Sequence, residues 1–221
     1  MEVLTYSHRY AEEILQHPDF KEAYEQVMAY CKECPLPVYK GKSKNKKLDV
    51  VQQIMNTYFK LRFVGDDWKS EEHVSPEVDE MGVKIDERLR ADFFKVFKSG
   101  DKSIRVLVEV EFGNVASSYR DYFKFQLSYA HSMSDIGIII LPTNHLCGRI
   151  DSAVANFEKA GRELKYARLT TTVPLLVIGL SDIGVEEDDL NALGVDLKIL
   201  KGAKKKHAAE HEAIVRRLLE K

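Results

Sequence analysis

Cysteine is scarce in this 221-residue chain: there are three, so one at least is unpaired, which argues against a secreted scaffold held by disulfides. Long apolar runs are missing as well. No stretch approaches the ~20 residues of a membrane span, and the opening MEVLTYSHRY lacks the apolar segment of a signal peptide. Both absences lead us to expect a cytoplasmic protein with no membrane partner. Net charge is nearly absent too, at −2, which excludes wholesale charge-driven attachment to nucleic acid. It leaves room for basic patches around an acidic centre, and KGKSKNKK (Lys40 to Lys47) is such a patch. Internal repeats and long low-complexity linkers are likewise missing.

What is present fits one α/β domain spanning 1–221. His8 to Tyr30 reads as helical with a break near Pro18-Asp19, and Asp49 to Phe63 as a second helix. Gly65 to Glu80 is polar and reads as irregular. Phe93 to Phe97 and Ser103 to Phe112 have strand character around the turn signal Ser99-Gly100-Asp101-Lys102. Ser117 to Met133 and Arg149 to Tyr166 read as helices. IGIIIL (Ile136 to Leu141) and VPLLVIGL (Val173 to Leu180) are apolar without alternation, as strands covered on both faces are. Strand, helix, strand, helix and strand behind an antiparallel hairpin predict a mixed central sheet flanked by helices.

Within VLVEVEFGN (Val106 to Asn114) two carboxylates interrupt a buried-strand pattern at alternate positions. Residues i and i+2 of a strand share a face, so Glu109 and Glu111 project side by side. Like charges that close beside an apolar face destabilise the fold unless something positive joins them. If Lys98 pairs with Ser103, counting back sets Asp92 opposite Glu109, on the same face. A one-residue slip would turn Asp92 away. Three converging carboxylates are ligands for a hard cation such as Mg²⁺; the bland alternative is a solvated strand end beside a Lys or Arg.

At these residues the sequence resembles a family. Asp92, then EVEFGN (Glu109 to Asn114), a helix opening SSYR (Ser117 to Arg120) and IGIIILP together resemble type II restriction endonucleases of the BglII/BstYI/BamHI group. These are divergent members of the PD-(D/E)xK nuclease fold. The resemblance runs from TYSHRYAEEIL through Trp68-Lys69 and Asn156-Phe157-Glu158 to VPLLVIG. It implies a helical part over 1–90, a catalytic core over 91–182, and an extension over 183–221 whose role it does not give.

The resemblance implies Asp92, Glu109 and Glu71 as metal ligands, with Mg²⁺ as cofactor, and Glu111 as a fourth catalytic acid. Glu111 stands where most nucleases of this fold carry Lys and some of this group carry Gln. Asn114, Ser117, Ser118 and Arg120 fall at DNA-contacting positions. Asp151-Ser152 only partly matches the group's pair for the outer bases, and Ala116 stands where a relative has Ser. The implied activity is Mg²⁺-dependent cleavage of both strands of double-stranded DNA by a homodimer, at a palindrome with a GATC core, leaving 5′-phosphates. An inactive or nonspecific DNA-binding protein on the same scaffold is the alternative.

Two further motifs carry chemistry. His207-Ala208-Ala209-Glu210-His211 matches the inverted zinc-peptidase pattern, but ten residues remain after it for a third ligand, and a surface helix explains it better. Cys31-Lys32-Glu33-Cys34 is a single C-x-x-C without a second pair, which reads as two ordinary thiols at a helix end.

Overall fold

The two apolar runs form the centre of a six-stranded sheet in the computed structural model, which describes residues 1–78, 81–85, 88–151, 153–167, 170–201 and 206–220. In chain order the elements are β1 (Glu2–His8), α1 (Ala11–Leu15), α2 (Lys21–Glu33), β2 (Pro37–Val38), α3 (Gln52–Gly65), β3 (Lys69–His73), β4 (Arg90–Ser99) and β5 (Lys102–Val110). Then come α4 (Val115–Ala130), β6 (Ile136–Pro142), α5 (Asn144–Ile150), α6 (Phe157–Tyr166), β7 (Leu175–Ser181), β8 (Asp188–Asp189), α7 (Leu197–Lys201) and α8 (Ala208–Leu219). The sheet order is β1-β7-β6-β5-β4-β3, with β5, β6 and β7 parallel and the outer strands antiparallel. It is a mixed sheet flanked by helices.

Every residue of β6 and β7 is buried. Alternate side chains feed two separate cores, as the period of two dictates. Ile136, Ile138, Ile140, Leu176 and Ile178 join α2, α3 and α8 on one face. Leu107, Ile139, Leu141, Leu175 and Val177 join Phe125 of α4 and Leu164 of α6 on the other. The hairpin turns at Gly100, whose φ of 58° suits glycine, and Ser99 pairs with Lys102. The register is the one counted from sequence: Lys98 faces Ser103 and the ladder runs to Phe93 opposite Val108.

Three elements differ from expectation. Residues 2–8 form an edge strand on β7. Lys69–His73, read as irregular, is an edge strand on β4; charged edge strands lack the apolar alternation that reveals inner ones. Arg149 to Tyr166 is not one helix. α5 ends at Ile150, Asp151 is extended, and α6 starts afresh behind Asn156, whose side chain accepts the Lys159 N–H at 2.9 Å.

Beyond β7 the chain returns across the first core. β8 pairs with β2, and Ile214, Val215 and Leu218 of α8 bury in the core that holds α3. Among the described residues no helix is long and apolar enough to cross a membrane.

Candidate active site

The sheet brings three carboxylates into one row. Phe93 opposite Val108 puts Asp92 opposite Glu109, and Glu71 lies between the pairs Ser70–Phe93 and Glu72–Ala91, hence opposite Asp92. β3, β4 and β5 thus carry Glu71, Asp92 and Glu109 side by side. Glu71 has a φ of 57°, a left-handed conformation that costs an L residue about 1 kcal/mol or more and concentrates at functional sites. Glu71 and Asp92 line a cavity of about 370 Å³ together with Asn56, Lys60 and, from α8, Glu212.

Deeper in, Glu109 is 2% exposed. Its Oε1 accepts a hydrogen bond from Lys124 Nζ at 2.9 Å, and the same ammonium lies 2.8 Å from Asp121 Oδ1. Asp121 and Lys124 sit at i and i+3 on α4 and so share the face turned to the sheet; both are buried. Asp92 accepts the Val110 N–H at 2.9 Å, which ties it to β5 where the ladder ends. Glu111 folds back to accept the Gly113 N–H.

Electrostatics follow from this crowding. Burial pushes Glu109 up to about 9, helped by Asp92 and Asp121 and opposed by Lys124. Burial also pushes Glu111 up to about 7, with Asp121 and Asp92 adding to it and the Gly113 amide pulling down. For Lys124 burial acts downward, but its bonds to Glu109 and Asp121 outweigh this and raise it. The positive group that the sequence demanded between its carboxylates includes a lysine from α4. One ammonium among Asp92, Glu109, Glu111 and Asp121 still leaves negative charge in excess. All-oxygen donors with that excess suit a hard divalent cation. In the present side-chain positions no three His, Cys, Asp or Glu among the described residues close on one point as metal ligands do.

The remaining sequence-predicted residues fall in two groups. Asn114 is exposed and caps α4, its Oδ1 accepting the Ala116 N–H at 2.9 Å. Arg120 is exposed and Ser117 half-buried. Ser118 is buried, and its hydroxyl donates to the Val115 carbonyl at 2.8 Å. Asp151 is exposed at the end of α5, and Ser152 lies outside the described residues. The basic loop is moored beside Asp151: Lys42 donates to the Ile150 carbonyl at 3.1 Å and Arg149 clasps Asp49 through Nε and Nη2 at 3.0 Å each. Lys40, Lys44, Lys46 and Lys47 remain exposed.

The histidine motif has a structural explanation. His211 is 1% exposed with Nε2 2.9 Å from the Ile199 carbonyl, while His207 pairs with Glu210 at 3.4 Å. The two rings therefore hold different parts of the tail. Cys31 and Cys34 are buried free thiols, both pushed up chiefly by burial, which makes them inert.

Sequence reasoning missed Asp121, Lys124, Lys60 and Glu212. For the first two a signal existed: Ser118, Asp121, Lys124 and Ser128 recur with Phe125 on the inward stripe of α4, where polar residues are out of place unless they meet partners.

A family model described as Restriction endonuclease BglII/BglIII matches residues 3–180. The type II restriction enzyme BamHI of Bacillus amyloliquefaciens is 34% identical over 91 residues, 41% of this chain and 41% of that protein. The match thus spans less than half of that relative's length. Among solved structures, restriction endonuclease BglII complexed with a DNA 16-mer superposes with a TM-score of 0.58 at 20% identity, over 82% of this chain and 77% of that one. Free BglII gives 0.50 at 18% identity, over 81% and 79%. At those identities the structures establish the fold. The family match ends just before the tail that carries α8.

Proposed function

Because the chain belongs to the restriction endonuclease BglII/BglIII family, we propose that it is a type II restriction endonuclease: a cytoplasmic, Mg²⁺-dependent homodimer that cuts both strands of double-stranded DNA at a palindrome centred on GATC. The observation that carries this reading is the row Glu71–Asp92–Glu109, backed by Glu111, with Glu71 and Asp92 lining a cavity. A phosphodiester is shielded by its own charge, so its hydrolysis needs positive charge at the phosphate and an activated water.

Glu71, Asp92 and Glu109 would hold the cation, which supplies charge neutralisation at the phosphoryl oxygens and acidifies bound water. Glu111, two residues past Glu109 and just beyond the end of β5, accepts the proton of the attacking water. The water oxygen bonds to phosphorus, the bond from phosphorus to O3′ breaks, and O3′ leaves and takes a proton from solvent. The products are a 5′-phosphate and a 3′-hydroxyl.

DNA contacts are assigned to the rim. Arg120, exposed on α4, suits the guanine of GATC. Asn114 suits the adenine through Nδ2, since its Oδ1 serves the helix cap. Ser117 lies between them; Ser118 supports the turn. Asp151 and Ser152 are assigned to the outer base pair, with the moored lysine loop beside them for phosphates. A second copy fits the outer face of α4 and α6: Tyr119 and Phe123, one helical turn apart, are 49% and 56% exposed, and Tyr166 is 90% exposed. Palindromic sites are met by two-fold protein symmetry.

Incubation with plasmid DNA and Mg²⁺, then sequencing of fragment ends, tests the proposal. Discrete ends at GATC-centred sites, lost in Asp92→Ala while DNA binding persists, are expected. A smear indicates a nonspecific nuclease, retardation without cutting indicates a binding protein, and undiminished cutting by Asp92→Ala refutes the assigned site.

A further inference from the structure

We propose that Lys124 is a positioning residue that stands in for part of the metal's charge in the metal-free protein and competes with the metal for the same carboxylates. The inference rests on the nuclease reading above. Lys124 is 6% exposed and reaches the acidic row from α4, not from the strand that carries the acids. Its ammonium bridges Asp121 Oδ1 at 2.8 Å and Glu109 Oε1 at 2.9 Å. Both partners are at most 2% exposed.

Two physical consequences follow. Without a cation, buried Glu109 and Asp121 beside Asp92 face mutual repulsion at low dielectric, and the ammonium offsets part of it. When a divalent ion arrives, the same ammonium repels it across a few ångströms. With Glu109 Oε1 taken by Lys124, Oε2 is the oxygen left for the ion. Asp121 then acts as a tether: by sharing the ammonium it weakens the hold on Glu109 and keeps the lysine on its own helix. Asp121 and Lys124 thus set how tightly the site binds metal without touching it.

Calorimetric titration with Mn²⁺ alone, on full-length protein without DNA, tests this, together with thermal melts in EDTA and in saturating Mn²⁺. Lys124→Met should bind Mn²⁺ about tenfold more tightly, melt lower than wild type in EDTA, and recover most of that deficit in Mn²⁺. Asp121→Asn should bind Mn²⁺ more weakly, because the freed ammonium settles on Glu109. Lys124→Gln keeps a hydrogen-bond donor without the charge, and should tighten binding even if Lys124→Met fails to fold. A lysine that only props up the core would lower the melting point equally in both conditions and leave affinity unmoved. Unchanged or weaker binding in Lys124→Gln overturns the proposal. Wild-type protein that binds no Mn²⁺ overturns it together with the metal-dependent reading, a failure visible before any variant is made.

Discussion

Adding one methyl group at Gly113 probes the candidate site without altering any of its carboxylates. A Cβ built there lies 2.6 Å from Glu111 Oε1, and beyond its two chain neighbours it otherwise meets only the carboxyl carbon of the same side chain within 4 Å. Ordinary heavy-atom contact is about 3.5 Å, so the carboxylate must withdraw by roughly 1 Å. A displacement of that size in a reacting group costs about 10²-fold in rate. Stability should barely change. The hydrogen bond between Glu111 and the Gly113 amide is weakened, a loss of ~1–2 kcal/mol, while alanine restricts the unfolded chain by ~0.4–1 kcal/mol. The melting point should therefore stay within about 5 °C of wild type. Single-turnover cleavage of a plasmid carrying one site, run beside thermal melts, reads both quantities. The same substitution in a Glu111→Ala background closes the cycle. If Gly113→Ala works through Glu111, it slows the wild type and does nothing to the Glu111→Ala protein. Cutting at the wild-type rate, or an equal loss in both backgrounds, refutes the assignment of Glu111 as the group that takes the water's proton.

Gly137→Ala offers the opposite pattern. Its Cβ would lie 2.5 Å from Phe125 and 2.9 Å from Leu175 inside the second core, so it should destabilise by ~1–3 kcal/mol through overpacking, read as a lower urea midpoint. Arg120→Ala should weaken binding to GATC-containing duplexes by ~1–3 kcal/mol relative to unrelated DNA; equal losses on both, measured by fluorescence anisotropy, would count against a base contact. Phe123→Glu should shift the protein toward monomer in sedimentation without unfolding it, if α4 faces a second copy. Asp135 supplies a pH test: burial pushes it up, but hydrogen bonds from Arg105 outweigh this and hold it below the usual carboxylate range. A depressed folded value means its stabilisation is present above the unfolded pKa of ~3.9 and lost as pH falls through the lower folded value. The stability gap between wild type and Asp135→Asn should hold at pH 6 and close below about pH 4.

The hairpin register was legible because Ser99-Gly100-Asp101-Lys102 names its own turn, and from the turn the opposition of Asp92 and Glu109 follows by counting. β6 and β7 announced themselves through unbroken apolar runs. Glu71's place in the row was not legible. It depends on β3, a strand written in KSEEH, whose charges suit an edge and carry no alternation. Lys124 escaped for another reason. Its meaning arises from the crossing of α4 over β5, and no local pattern encodes which strand a helix covers. The break at Asp151 was signalled by Asn156, a good cap residue inside a run that otherwise read as helical.

Strand β1 has its hydrogen-bonding partner far downstream in β7, with Glu2 opposite Ser181 and His8 opposite Leu175. On a ribosome adding roughly 5–20 residues per second, β1 would leave the exit tunnel many seconds before β7 exists. Until then β1 has nowhere to dock, and β6, flanked later by β7, shows one bare apolar edge. The sheet can close only after the chain through Ser181 is synthesised, and pairings across so great a sequence separation form slowly. A bacterium overproducing this protein at high temperature would expose that unfinished edge to its neighbours, and slower synthesis in the cold should raise the soluble yield.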